Sequence, residues 1–141
     1  MDPAARESLL ERLNDSSRGT LMEALEIRYS DVGDEYLEAT MPVNARVHQP
    51  MGLLHGGATA ALAESVGSAA SALRVDIQTQ SVVGTALAVN HLRGMREGMV
   101  TARAEPVHLG RTTQLWSIRV VDESGRLVAD ARLNMMVLDK R

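Results

Sequence analysis

The chain has no cysteine and no phenylalanine, and its aromatic side chains are confined to Tyr29, Tyr36 and Trp116. Without cysteine there can be no disulfide, no thiolate metal site and no Cys nucleophile. With so few aromatics, the core has to be built from Ala, Val, Leu and Met. The sequence also lacks any charge-free apolar run of about 20 residues, and no signal peptide is legible, so a cytoplasmic protein away from the membrane is expected. Nor is there a strong excess of charge: the formal net charge is −3 and the basic residues are scattered. That argues against a basic face for nucleic acid, although a few local arginines remain able to meet a phosphate-bearing ligand. What is present is ordinary. A chain of 141 residues, 45% hydrophobic and 23% charged, fits one globular domain with a proper core.

Hydrophobic spacing predicts a first helix from about Pro3 to Asn14, with Leu9, Leu10 and Leu13 on one side and Pro3 near the helix start. Residues 1–20 then form this helix and a polar lead-in. Two extended segments, EALEIRYSD and DEYLEATMPV, flank Asp31-Val32-Gly33-Asp34 and read as a β-hairpin. The stretch MPVNARVHQPMG is punctuated by Pro42, Pro50 and Gly52 and reads as loop. A helix is predicted from about Gly57 to Leu73, built of Ala, Leu, Val, Ser and Gly with one charge, Glu64; such a helix is expected to be buried. Four further strands follow, at about Val82–Arg93, Met99–His108, Thr113–Asp122 and Leu127–Leu138. Short turns between them imply antiparallel pairing. The expected fold class is α+β, an antiparallel β-sheet wrapped around one long central helix, in a single domain.

Chemistry concentrates in MPVNARVHQPMGLLHGGATAALAESVGSAAS. A helix start carries backbone N–H groups without partners and favours negative charge. Gly56 and Gly57 leave that backbone bare, so an N–H there can meet a carbonyl oxygen that gains charge during reaction. Glu64 lies eight residues beyond Gly56, about 12 Å along the helix axis. One chain would struggle to bring both ends to one carbonyl carbon. Two antiparallel copies packed across a two-fold axis would place Gly56 of one near Glu64 of the other. Ser68, one turn after Glu64, shares its face and is placed to hold the carboxylate or a water.

At these residues the sequence resembles the hotdog-fold acyl-CoA thioesterases, in the branch that contains hydroxybenzoyl-CoA thioesterase and carries its acid on the helix. The likeness is greatest to the dihydroxynaphthoyl-CoA and enterobactin-pathway proofreading groups. It runs over about residues 20–138, through the loop and helix above and through VVGTALAVNHLRGMREGMVTARAEPVHLGRTTQLWSIRVVDESGRLVADARL. The resemblance implies an acyl-CoA thioester hydrolase, acting on aryl- or acyl-CoA or on acyl-carrier-protein thioesters. Glu64 is then the catalytic carboxylate, either general base on water or nucleophile through an anhydride. Gly56 supplies the N–H that polarises the thioester carbonyl, Gln49 assists there, His55 lies near the sulfur, and Ser68 orients the water or the carboxylate. Gln49, His55 and Gly56 come from one subunit and Glu64 and Ser68 from the other, in a homodimer with shared sites that can pair further into a dimer of dimers. His91 and Arg93 are expected to contact coenzyme A, with Arg96, Arg111 and Gly84 as further positions on that side; guanidinium groups suit phosphate oxygens. Ala69 occupies an acyl-pocket position where a small residue leaves room, and Met51 is a second candidate for its lining. No cofactor is implied. The four histidines, His48, His55, His91 and His108, show no metal-ligand spacing, and no metal site is assigned.

Three other readings stand beside this one. A hydratase on the same fold would use an Asp/His pair in a different local motif. A non-catalytic acyl-CoA-binding regulator would carry a DNA-binding segment, for which the first 20 residues are short and not basic. A serine hydrolase, suggested by His-Gly-Gly, would need the GxSxG elbow, which is missing.

Overall fold

The computed structural model describes all 141 residues. Two short helices, α1 (Pro3–Ser16) and α2 (Leu21–Ala24), precede a hairpin of β1 (Arg28–Val32) and β2 (Leu37–Val43). A single 3-10 turn, Ala45–Val47, lies in the following loop. Then come α3 (Gly56–Ala72) and the strands β3 (Gln80–His91), β4 (Gly98–Leu109), β5 (Thr113–Val121) and β6 (Leu127–Asp139). The six strands form one sheet in the order β1-β2-β4-β5-β6-β3, and all neighbours are antiparallel. The α+β class and the sheet-and-helix architecture are as expected, and the predicted long elements match within a few residues.

The N-terminal third differs. The segment expected to be extended from about Leu21 begins as the helical turn α2, and β1 starts only at Arg28. The cause is local. The Thr20 hydroxyl accepts from the Met22 N–H, and the Glu23 carboxylate reaches back to the Gly19 N–H. This is a variant of the capping box, which fixes a helix start over the alternation of Leu25, Ile27 and Tyr29. Asn14, expected to end α1, lies inside it and pins β1. Its side chain donates to the Tyr29 carbonyl at 3.0 Å and accepts from the Tyr29 N–H at 2.8 Å. Arg6 on the same helix grips Asp31. Partial burial alone would raise the Asp31 pKa, but hydrogen bonds from Arg6 and Tyr36 hold its carboxyl below the usual range.

The core lies between one face of the sheet and one face of α3. Leu62, Ala63, Val66 and Ala70 of the helix meet inward side chains such as Leu37, Met41, Ile118 and Leu133. Gly67 sets the separation: a Cβ there would fall 2.6 Å from Leu133 Cδ2. Its bare backbone lets the helix settle onto β5 and β6. One polar knot crosses this interface. Gln114 Oε1 accepts from Ser71 Oγ at 2.6 Å and from Trp116 Nε1 at 2.9 Å, and all three residues are buried. Gln114→Leu would orphan both donors at once. The expected result is a loss of about 2–5 kcal/mol, read as a lower urea midpoint at unchanged slope.

Two features depart from the expectation that α3 is wrapped on all sides. Only the sheet-facing residues of the helix are buried, and Glu64 is exposed. The sheet covers one face, and the opposite face, which carries Ala60, Ala61 and Glu64, is left open within the chain. In addition, β3 pairs only with β6, so its other edge is free. No helix is long and apolar enough to cross a membrane.

Candidate active site

The loop before α3 is held by its own backbone. Gln49 N–H donates to Leu53 O at 2.8 Å, His55 N–H to Val47 O at 2.7 Å, and Leu54 N–H to Met95 O at 2.7 Å. The Gln49 carboxamide oxygen accepts from the N–H groups of Met51 and Leu53. Its NH2 group is thereby turned outward as a donor.

His55 is the N-cap of α3. Its Nδ1 accepts from the Gly57 N–H at 2.7 Å, and its carbonyl accepts from Ala58 and Thr59. An accepting Nδ1 places the ring proton of the neutral imidazole on Nε2. Of the first four amides of the helix, only that of Gly56 donates to nothing. It is therefore Gly56, and not Gly57, that offers a free N–H at the positive end of a 17-residue helix. The His91 imidazole packs on Gly56, with ring atoms 3.1 Å from where a Cβ would stand. Gly56, Gln49, His91 and Arg93 line one cavity of about 330 Å³, with Thr59 behind them.

Glu64 opens onto a different surface. A groove of about 700 Å³ runs along the uncovered face of α3, past Glu64, Ser68 and Ala69, and is closed at the side by Val82 and Leu87 of β3. Glu64 makes no ion pair, and no hydrogen bond engages its carboxylate. Gly84 lies beside it, its Cβ position 3.5 Å from Glu64 Oε2. Gly84 is thus at the Glu64 end of β3 and away from His91 and Arg93, with which it had been grouped. Ser68 lines the same groove, and its hydroxyl points at Met135 Sδ at 3.8 Å, not at Glu64.

The candidate residues therefore form two clusters within one chain. Arg93 and Arg96 belong to the first, at the end of the sheet where β3 finishes; Arg111 lies in the β4–β5 turn at the opposite end, where β3 begins. None of these three arginines forms an ion pair, so their charge is free for an anion. Met51 is 75% exposed on the loop and lines neither cavity. Residues not singled out from the sequence also line the Glu64 groove: Leu21 and Met22 of α2, and Tyr29 of β1. The signal that would have placed them is Thr20-x-x-Glu23, which marks a helix start and turns Leu21 and Met22 off the strand path.

The family model described as thioesterase superfamily matches residues 51–129. A proofreading thioesterase, EntH, of Cronobacter turicensis is 50% identical over 133 residues, which cover 94% of this chain and 96% of the relative. The 1,4-dihydroxy-2-naphthoyl-CoA hydrolase of Escherichia coli is 47% identical, covering 94% and 97%. The crystal structure of a mutant thioesterase from Pseudomonas aeruginosa superimposes with a TM-score of 0.91 at 49% identity, over 93% of this chain and 94% of that one. By fold and by sequence, the chain belongs to the thioesterase superfamily, and its activity is the hydrolysis of a thioester.

Proposed function

We propose that the substrates are aryl- or acyl-CoA thioesters and that hydrolysis takes place at a site completed by two copies of the chain. One observation carries this reading. On β3, Gly84 touches Glu64 and His91 touches Gly56. Gly56 and Glu64 are themselves about 12 Å apart along the axis of α3, too far for one carbonyl group to bridge. The free edge of β3 carries no Asp, Glu, Lys, Arg or Pro over Gln80–His91, so nothing blunts it against pairing. Antiparallel pairing of two such edges, centred on Ala88 with the irregularity between Gly84 and Ala86 absorbing one residue, sets Gly84 of each copy opposite His91 of the other. Glu64 of one protomer then comes beside Gly56 of its partner, twice, by symmetry. The same pairing covers the open face of α3 and carries Arg111 of one copy toward the Arg93 end of the other.

In the joint site the thioester oxygen accepts from the Gly56 N–H and the Gln49 NH2, both in place before charge develops on it. Glu64 of the other protomer takes a proton from water as the water oxygen bonds to the carbonyl carbon; direct attack by the carboxylate is the second route. The C–S bond then breaks, the proton that Glu64 took from water passes to the leaving thiolate, and the His55 Nε2–H is the group assigned to hydrogen-bond that sulfur. The products are a carboxylic acid and a free thiol. Ser68 borders the carboxylate, and Ala69 leaves volume for the acyl group. The unpaired Arg93 and Arg96 suit the phosphates of coenzyme A. The hydrolase name of the Escherichia coli relative, which specifies a naphthoyl-CoA, supports that carrier and an aryl acyl group.

The test is a kinetic panel of benzoyl-CoA, medium-chain acyl-CoA and the matching acyl-carrier-protein thioesters. Turnover of the CoA esters is expected. With Arg93→Ala, KM for those esters should rise roughly tenfold while kcat stays within about twofold, the signature of lost phosphate binding. Unchanged KM would place Arg93 outside the carrier site, and exclusive turnover of carrier-protein esters would replace CoA as the substrate.

A further inference from the structure

The mechanism above leaves one wall of the Glu64 groove unused. That wall comes from α2 and β1: Leu21, Met22 and Tyr29 face the same cavity as Glu64, Ser68 and Ala69. Ala60, Ala61, Ala69 and Ala72 make much of the helix side of the groove smooth, and its polar side chains are Glu64, Ser65 and Ser68. Against it, the Tyr29 phenol is the one hydroxyl contributed from outside α3.

That hydroxyl donates within the chain but accepts nothing. Its two polar neighbours are the Ser65 carbonyl at 3.4 Å and Met22 Sδ at 3.7 Å, and both are acceptors. No donor of the chain reaches the Tyr29 oxygen, so its lone pairs are unfilled although the residue is 6% exposed. Burial pushes its pKa up to about 12, which keeps the group protonated at any ordinary pH. The ring is also fixed in place. Asn14 brackets the Tyr29 backbone from both sides, and Met22 Sδ is held by the Ser17 hydroxyl at 3.6 Å. Ser65 directly follows Glu64, so the phenol abuts the turn of α3 that carries the carboxylate.

We propose that Tyr29 and Met22 are specificity-determining residues: Tyr29 Oη accepts a hydrogen bond from a donor substituent, such as a ring hydroxyl, on the acyl group, and the Met22 thioether sets how large that group can be. The inference rests on the proposal that an acyl group occupies the Glu64 groove. It goes further by naming what the groove reads. A thioether is pliable and packs well on an aromatic face or edge, which suits a ring better than a narrow alkyl chain. A buried oxygen without a donor rewards a substrate that supplies one and is indifferent to one that does not.

Tyr29→Phe keeps the ring and removes only the hydroxyl. For the intact enzyme, kcat/KM is measured on benzoyl-CoA and on the 2-, 3- and 4-hydroxybenzoyl-CoA isomers. At least one hydroxylated isomer should be preferred by wild type, and Tyr29→Phe should lower that preference about tenfold while benzoyl-CoA stays within about twofold. Met22→Ala should raise turnover of naphthoyl-CoA relative to benzoyl-CoA by at least about threefold. A uniform fall on all esters after Tyr29→Phe would mean that the residue only props the fold, and an unchanged preference would mean that it reads nothing; either overturns its assignment. An unchanged naphthoyl-to-benzoyl ratio overturns that of Met22. Wild-type turnover of benzoyl-CoA separates these failures from that of the wider reading. If wild type hydrolyses no CoA ester in the set, the occupant of the groove is something else and the inference falls with it.

Discussion

Glu64→Ala is expected to lower kcat on any accepted thioester by about 10³-fold or more, without loss of folding or assembly. The carboxylate is exposed in the protomer and has no hydrogen-bond or ion-pair partner to lose. Replacing it by alanine in the middle of a helix removes no packing, so melting temperature should move little. Loss of rate with an unchanged melt therefore reports chemistry and not stability. Retained turnover would remove Glu64 from the reaction.

A second large effect is expected at the other end of the same helix. Gly56→Pro deletes the one free amide of the α3 start. Proline is tolerated at the first helical position, where its missing N–H costs no intrahelical bond. The preceding residue, His55, already holds φ −66° and ψ 128°, a conformation permitted before proline. The added Cβ meets the His91 ring, which is a side chain and can turn aside. Gly56→Ala makes the same contact and keeps the N–H, so it is the matched control. Proline should cost about 10²-fold in kcat relative to alanine, the usual loss of one donor at an oxyanion. Equal rates for the two variants would show that no amide acts there. Mixing the two inactive proteins then tests the shared site directly. A hybrid of Glu64→Ala and Gly56→Pro chains has one whole site and one doubly damaged site, so random re-pairing should restore about a quarter of wild-type activity. If each site lay within a single chain, mixing would restore nothing.

Much of this could be read in advance because the informative stretches obey local rules. Glycines at a helix start, one carboxylate two turns on, and strands separated by short turns are visible as spacing. Two things were not. The first is α2, hidden because Leu25, Ile27 and Tyr29 mimic a strand, while the competing signal is a pair of side-chain caps at Thr20 and Glu23. The second is the exposure of Glu64. A helix of alanines reads as buried on all sides, but burial depends on what covers it, and within one chain the sheet covers a single face. Gly84 shows the same limit. Its neighbour Glu64 is 20 residues away in sequence, and only the fold brings Glu64 Oε2 to 3.5 Å from where a Cβ at Gly84 would stand.

The uncharged rim of β3 has a consequence before any substrate is met. A protomer fresh from synthesis presents twelve residues of open backbone with no lysine, aspartate or proline to turn a stranger away. Any extended chain is a candidate to zip onto it, and the edge-to-edge pairing proposed above would remove that hazard. With the shared site proposed above, dilution would act on both counts, leaving separated chains at once unprotected and idle.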